Sequence, residues 1–331
     1  MLICSSFRRY ALLACAVVAL LILSAISLRL GAGDFSYQQL LWGPDRAAAW
    51  QLLEVSRLPR TIALVLSGMG LAVAGMIMQM LVRNRFVEPS TAGTIESATL
   101  GILVMSLLAP DAPVLGKMGV ATLFALLGTF GFLALIRRVP LRSPYVIPLV
   151  GLAFGGVIGA VTTFLALRFD LLQSLNAWTT GDFSGVLKGR YELLYSAAAL
   201  VAIAWFAADR FTVAGLGEQF TTNLGLNYQR LTFIGLLIVA TIAACVVVTV
   251  GNIPFLGLIV PNIVSMVMGD NMRRSLPWIA LLGGLLVLAC DIVGRLLYYP
   301  YEIPIGTVLG VVGAAIFLYL LLGKRTRFVR Q

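Results

Sequence analysis

The sequence predicts an all-α integral membrane protein that crosses the bilayer about ten times. Of its 331 residues, 60% are hydrophobic and only 11% are charged, and the mean hydropathy is +0.97. A water-soluble domain of this length could not bury so much apolar surface. Because each helical span uses about 20 apolar residues, no room remains for a large soluble domain. We therefore expect residues 1–331 to form a single transmembrane domain.

The predicted spans are apolar stretches separated by short polar segments. In chain order they are residues 10–28, 61–82, 98–108, 118–136, 145–167, 193–206, 231–250, 255–268, 276–292 and 305–322. The first stretch is longer than the core of a cleavable signal peptide, so we interpret it as a span. Several stretches are short or interrupted by Gly and Pro, and irregular backbone at membrane depth needs protein or a cavity beside it. These breaks favour a bundle with an interior path, and ordinary helix packing is the alternative.

The charge distribution predicts that both termini lie in the cytoplasm. The chain has 24 Lys and Arg against 14 Asp and Glu, which gives a net charge of +10. If ten spans alternate from a cytoplasmic N-terminus, 15 of the basic residues and only 5 of the acidic ones face the cytoplasm. This is the bias that the positive-inside rule requires. The positive charge therefore indicates which loops face the cytoplasm when the chain sits in membrane lipid. We expect no nucleic-acid partner. The longer loops are then 29–60 and 168–192 outside and 209–230 inside.

Several kinds of chemistry are excluded by residues that the sequence lacks. It has no histidine, and its four cysteines show neither ligand nor disulfide spacing. It also has no GxxxxGK[ST] phosphate loop, so any ATP must be hydrolysed by a partner. We expect no catalytic residue, metal site or cofactor in this chain.

The predicted spans carry almost no charge, whereas carriers driven by ion gradients usually bury ionisable groups there. Glu96 lies near the start of the third span, and Asp291 and Arg295 lie near the end of the ninth. Asp291 and Arg295 are four residues apart on one helical face, so they can form an internal salt bridge. An exposed docking role for Arg295 is the equally open alternative.

Two arginines flank a proline just outside the second span. Pro59 suits a first helical turn, and Arg57 and Arg60 can project to the same side of that turn. Positive charge at a helix N-terminus opposes the helix dipole, which suggests an acidic partner. Contact with lipid phosphate is the alternative.

The inner loop contains a short amphipathic segment. Leu216, Phe220 and Leu224 are spaced by four residues and form an apolar stripe, with Gly217 and Gly225 at its flanks. An exposed stripe of this kind requires a partner groove. We interpret the segment, which includes Glu218, as a rigid knob that transmits force to a soluble subunit. A loop lying along the surface is the alternative.

The fifth span carries small residues at a spacing of about four. They are Gly151, Gly155, Gly156 and Gly159. Such a pattern permits close helix packing, and a smooth, uncharged pathway wall is the functional alternative.

Together these motifs resemble the FecCD/BtuC family of ABC-importer permeases, and the likeness extends over essentially the whole chain. The matching stretches are RLPR at 57–60, residues 68–79 with the following Arg83 and Asn84, residues 217–225, GNIPFLGLIVP at 251–261, residues 291–295 and EIPIG at 302–306. Residues 83–94 resemble the branch that handles petrobactin, anguibactin, vibriobactin and related ferric siderophores. The chain departs from the family pattern at residues 84–87, Thr221 and Asn262.

The resemblance implies the type II ABC importer fold, two cytoplasmic ATP-binding subunits, a periplasmic siderophore-binding protein and a second permease, with a heterodimer favoured over a homodimer. By residue match it implies docking of the binding protein at Arg57, Arg60 and Arg295. The implied coupling residues are Leu216, Gly217, Glu218, Phe220, Leu224 and Gly225. The expected function is non-enzymatic import of a ferric siderophore across a bacterial inner membrane by ATP-driven alternating access. A cobalamin or haem permease, an ion-gradient-driven carrier and a membrane scaffold are the alternatives.

Overall fold

The computed structural model describes residues 2–31, 46–139, 145–299 and 301–323, with side chains described for residues 11–31, 46–139, 145–299 and 301–320. This part of the chain is helical and contains no strand. The helices are α1 (Leu2–Arg29), α2 (Arg46–Leu52), α3 (Leu58–Val82), α4 (Thr94–Leu108), α5 (Val114–Ile136), α6 (Val146–Arg168), α7 (Leu172–Thr179), α8 (Leu194–Phe206), α9 (Ala208–Ala214), α10 (Glu218–Asn223), α11 (Tyr228–Val250), α12 (Leu256–Met268), α13 (Met272–Leu297) and α14 (Ile305–Gly323).

The all-α membrane prediction is confirmed, and each predicted span coincides with a helix. Six helical stretches are individually long and apolar enough to cross a bilayer. A seventh crossing is formed if α8 and α9, which meet at 68°, act as one bent span. The remaining three stretches are the shorter apolar helices α4, α12 and α14. The cytoplasmic placement of the termini stays a prediction, and Arg142 and residues 324–331 of that charge count lie outside the described residues.

The prediction of a loop over residues 29–60 is wrong from Arg46 onward. Helix α2 continues through a π-helical turn, Leu53–Arg57, directly into α3. Pro59 has no backbone N–H, and the helix widens just before it, so that the N–H of Leu58 bonds to the carbonyl of Leu53. Arg57 and Arg60 therefore lie inside the helical stretch Arg46–Val82. The argument that they oppose a helix dipole at an N-terminus fails.

Helix α3 is the centre of the bundle and packs against α8, α11, α12 and α13. It approaches α13 at Gly68 and Gly283, where a methyl group on either residue would collide with the other's backbone. It approaches α12 in the same way at Gly75 and Gly257. Paired small residues allow such backbone contact between helices in a membrane.

Two breaks between successive helices lie near the middle of α3. After α3 ends at Val82, Arg83 has a left-handed φ of 56°, and the chain turns back through a 3-10 turn, Pro89–Ala92. After α11 ends, residues 251–255 run without regular structure to the start of α12. Because α12 meets α3 at Gly75, both breaks lie against the middle of α3 and are covered by protein.

We expect Gly75→Ala to destabilise the protein by about 1–3 kcal/mol, because the new methyl group overlaps the Gly257 backbone. The measurement is thermal unfolding of the full-length chain in lipid nanodiscs. The matched control is Gly119→Ala, where nothing lies within 4 Å of the added methyl group. Alanine favours a helix, so the control should melt at the same or a higher temperature. Equal melting of the two variants would contradict the close contact.

Candidate functional site

A buried charge cluster lies where the N-terminal part of α3 meets the end of α13. We call it the Arg60 cluster, and its members are Arg57, Arg60, Asp291, Arg295 and Glu302. Arg60 donates to Asp291 Oδ1 at 2.8 Å and to Glu302 Oε2 at 2.6 Å. Arg295 pairs with the other oxygen of Asp291. The cluster thus contains three guanidinium groups and two carboxylates, and it joins α3, α13 and the segment before α14.

The cluster also holds the end of α1. Arg295 donates to the Ser27 carbonyl at 3.1 Å, to the Leu30 carbonyl at 2.8 Å and to Ser27 Oγ at 2.6 Å. Arg57 donates to the same Leu30 carbonyl. Arg57 and Arg295 are 8% and 4% exposed, and the Arg60 side chain is 14% exposed.

Of the two interpretations of Arg295, the structure shows the internal salt bridge, because Arg295 pairs with Asp291 and is buried. Arg57 and Arg60 are also enclosed by the bundle. Their guanidinium groups face neighbouring helices because a buried charge needs partners. Whether a binding protein docks here is a separate matter and stays a prediction.

At the opposite end of α3, the predicted amphipathic knob is a helix between two glycines. Helix α10 is preceded by Gly217, with a φ of 109°, and followed by Gly225, with a φ of 77°. Leu216, Phe220 and Leu224 are each 58% or 59% exposed, so the stripe has no cover within the described chain.

The base of this knob is fixed to the bundle. Thr221, which departs from the family pattern, is fully buried and donates to the Gly217 carbonyl at 2.7 Å. Gly217 itself lies against the Arg83 guanidinium at the end of α3. The hydroxyl of Thr212 on α9 accepts a bond from the Met272 N–H of α13 at 3.1 Å. The exposed stripe is therefore mounted on α3 and α13, the two helices that also carry the Arg60 cluster.

Two clefts flank the knob. One, of about 440 Å³, lies between Leu216, Arg83 and Asp270. The other, of about 630 Å³, lies between Glu218, Arg137 and Phe233. The arginines give both clefts a basic lining beside the exposed apolar stripe.

The glycines of α6 divide into two kinds. A methyl group at Gly151 would collide with the Thr91 carbonyl, and one at Gly155 would lie 3.3 Å from the Glu96 carboxyl group. These two glycines serve close packing against the turned-back segment after α3. Gly156 and Gly159 have nothing within 4 Å of an added methyl group, so only they leave open space of the kind a pathway wall needs.

A further set of buried polar contacts lies between the two breaks, and sequence reasoning missed it. The Glu88 carboxylate accepts a bond from the Phe255 N–H at 3.0 Å, and the N–H groups of Gly257 and Leu258 also bond to it. These amides begin α12, so Glu88 caps a helix that starts inside the bundle. Its Oε1 also accepts from Ser90 at 2.5 Å.

Two amide side chains complete this junction. Gln79 donates to the Gly257 carbonyl at 3.1 Å. Asn262 donates to the carbonyls of Arg85 at 2.8 Å and Leu258 at 2.7 Å. Residues 84–87 and Asn262 both depart from the family pattern, and they are in contact with each other. The side-chain amide of Asn262 bonds to the backbone of residues 84–87. The sequence signal was a polar, proline-containing run between two apolar stretches, which we interpreted as an ordinary loop.

Three comparisons relate this chain to known proteins. A model of the FecCD transport family matches residues 19–323. The chain is 48% identical to the petrobactin import system permease protein YclN of Bacillus subtilis (strain 168), over 93% of this chain and 97% of that one. It is 39% identical to the ferric-anguibactin transport system permease protein FatD of Vibrio anguillarum, over 92% and 97%. A solved structure described as an inward-facing metal-chelate type ABC transporter superposes with a TM-score of 0.75 at 27% identity, covering 94% of this chain and 98% of that one.

We expect Arg295→Ala to cost about 3–5 kcal/mol, because it removes one partner of a buried ion pair and frees the end of α1. The control is Arg273→Ala, which breaks an ion pair with Asp209 whose side chains are 53% and 56% exposed. Exposed pairs contribute about 0–1 kcal/mol. Thermal unfolding in nanodiscs measures both, and a similar loss in the two variants would contradict the structural role of the Arg60 cluster.

Proposed function

Because the chain belongs to the FecCD transport family, we propose that it is the permease subunit through which an ABC importer moves a ferric siderophore into the cell. It is a multi-pass protein of the inner membrane. The observation that supports this cargo most directly is the near full-length match to permeases named for petrobactin and ferric-anguibactin. The solved neighbour is described as a metal-chelate transporter, which is the same class of cargo.

We propose that a soluble ATP-binding subunit binds α10. The exposed stripe of Leu216, Phe220 and Leu224 supplies apolar area, and Gly217 and Gly225 give the knob a fixed shape. The basic clefts on either side favour an acidic surface on that subunit. This is the arrangement expected of a partner that pushes on the bundle, because a small rigid helix transmits displacement without bending.

A second permease is proposed to complete the pathway. Helix α6 exposes Leu149, Val157 and Phe164 along a face that also contains the open Gly156. In a single subunit this face contacts lipid, whereas in a pair it can border a path between the two chains. ATP binding and hydrolysis would then bias two packings of the pair, and the cargo would pass as the outward state relaxes.

We propose that a binding protein docks at the Arg60 cluster. Because the arginines of this cluster are buried, the acidic side chains of that protein must compete with the carboxylates that already pair with them. Glu302 is the most accessible described carboxylate there, with 26% of its side chain exposed. Acidic side chains of a siderophore-binding protein would compete with Glu302 for the outer edge of Arg60. Docking would thereby loosen a contact that holds α3 to the segment before α14.

We expect the assembled transporter to import a radiolabelled ferric siderophore in an ATP-dependent manner, and excess cobalamin should not compete. Phe220→Asp should reduce this uptake at least tenfold, because it places a charge in the centre of the apolar stripe. Uptake into proteoliposomes with enclosed ATP measures both results. Co-purification shows whether the ATP-binding subunit still binds the Phe220→Asp variant.

The control for this substitution is Leu108→Asp, which changes an exposed apolar residue at the end of α4, away from α10. It should leave uptake and co-purification unchanged. Normal transport by Phe220→Asp would refute the coupling role of α10. Competition by cobalamin would show that the cargo is not specifically a ferric siderophore.

We expect Glu302→Gln to tighten binding of the siderophore-binding protein about fivefold, because one competitor for Arg60 is lost. Affinity is measured by biolayer interferometry on nanodisc-embedded transporter. Glu54→Gln is the control, since it removes the same charge from an exposed pair with Lys188. Unchanged or weaker binding by Glu302→Gln would argue against docking at this cluster.

A further inference from the structure

A second polar site lies apart from α10 and the Arg60 cluster, in a cleft that opens to the surface at Thr163 and Thr179. It is a cavity of about 100 Å³ between α4, α6, α7 and the break before α12. We call it the Glu96 chamber. Its polar lining consists of Glu96, Thr99, Thr162, Thr163, Thr179 and Asn252.

The chamber presents oxygen atoms that lack hydrogen-bond donors. Glu96 Oε2 and Asn252 Oδ1 are buried and have no hydrogen-bond partner among the described residues. Burying a carboxylate oxygen without a hydrogen-bond partner costs free energy, and a bound ligand would remove this cost.

The threonine hydroxyls add to this excess of acceptors. Thr99 donates its hydrogen to the Ile95 carbonyl at 3.0 Å, and Thr162 donates to the Ile158 carbonyl at 2.8 Å. Thr179 donates to the Leu175 carbonyl at 3.0 Å. Because each hydroxyl has one hydrogen, these oxygens can offer the chamber only lone pairs.

Among the described residues, the ionisable neighbours of the chamber are acidic. No Lys or Arg lines it in the described part of the chain, and the charged group that acts on Glu96 is another acid, Glu88. Thr179 is the last residue of α7, so the negative end of that helix also lies here. Gly159 of α6 lines the chamber and has nothing within 4 Å of an added methyl group, so it leaves open space there.

We propose that the Glu96 chamber binds one alkali-metal cation, Na⁺ or K⁺, through the Glu96 carboxylate, the Asn252 carbonyl and threonine hydroxyl oxygens. One carboxylate balances one positive charge, and all the other offered atoms are neutral oxygens. A volume of about 100 Å³ accommodates such an ion with one or two waters, since each water occupies about 30 Å³. Membrane proteins coordinate cations where the backbone between helices is irregular. Asn252 lies in the irregular residues 251–255, and Glu96 lies in the first turn of α4, directly after the 3-10 turn. The bound ion would hold the two breaks and α6 together.

The test is thermal unfolding of the full-length chain in neutral-lipid nanodiscs, in sodium or potassium chloride and in N-methylglucamine chloride of equal ionic strength. We expect one of the metal salts to raise the Tm of the wild-type chain by about 5 °C relative to N-methylglucamine. Glu96→Gln should abolish this difference, and Asn252→Ala should at least halve it. Glu192→Gln, which alters an exposed acid outside the chamber, should keep it in full.

Direct binding keeps the proposal falsifiable if Glu96→Gln fails to fold. Equilibrium dialysis of the wild-type chain with radioactive sodium or rubidium should give about one bound ion per chain, reduced by Asn252→Ala. A wild-type Tm that is the same in all three salts, or an equal salt effect in Glu96→Gln, would overturn the proposal. So would a Tm that responds to pH but not to the cation, because a proton would then occupy the chamber.

Discussion

The backbone contact between Gly75 of α3 and Gly257 of α12 is the constraint on which the rest of the structure depends. Because neither residue has a side chain, α12 can begin beside the middle of α3 and need not cross the bundle as a full-length helix. A helix that starts at this depth leaves backbone N–H groups without partners in a region that excludes water. The polar groups at the centre of the bundle follow from that need.

Glu88 accepts hydrogen bonds from the free N–H groups at the start of α12. It can reach them only because the chain after α3 turns back into the bundle. The turned-back segment in turn needs room, which Gly151 on α6 provides beside the Thr91 carbonyl. One close helix contact thus requires a second break, and the second break requires a small residue on another helix. Glu96 and Asn252 are the polar groups of these two breaks that no described side chain satisfies.

The sequence was sufficient for features that depend on local pattern. Apolar length predicted the helices, and the spacing of Leu216, Phe220 and Leu224 predicted an exposed stripe that the structure has. It failed where the environment comes from residues far apart in the chain. Arg60 looked exposed because its partners, Asp291 and Glu302, lie more than 230 positions away. Glu88 looked like an ordinary loop residue because a turned-back segment has the composition of a polar loop.

The same long-range contacts identify which part of the bundle can move as a unit. Helices α3 and α13 are antiparallel, joined at Gly68 and Gly283, and fixed at one end by the Arg60 cluster. At the other end, Gly217 lies against Arg83, and Arg85 pairs with Asp270 at 2.6 Å.

If an ATP-binding subunit pushes on α10 as proposed, the push would reach this pair of joined helices. In the proposed transporter, this pair would shift as one body against less enclosed helices such as α6. The two breaks lie between the pair and α6. Occupancy of the Glu96 chamber, which lies beside these breaks, would accordingly set how readily the two parts of the bundle separate.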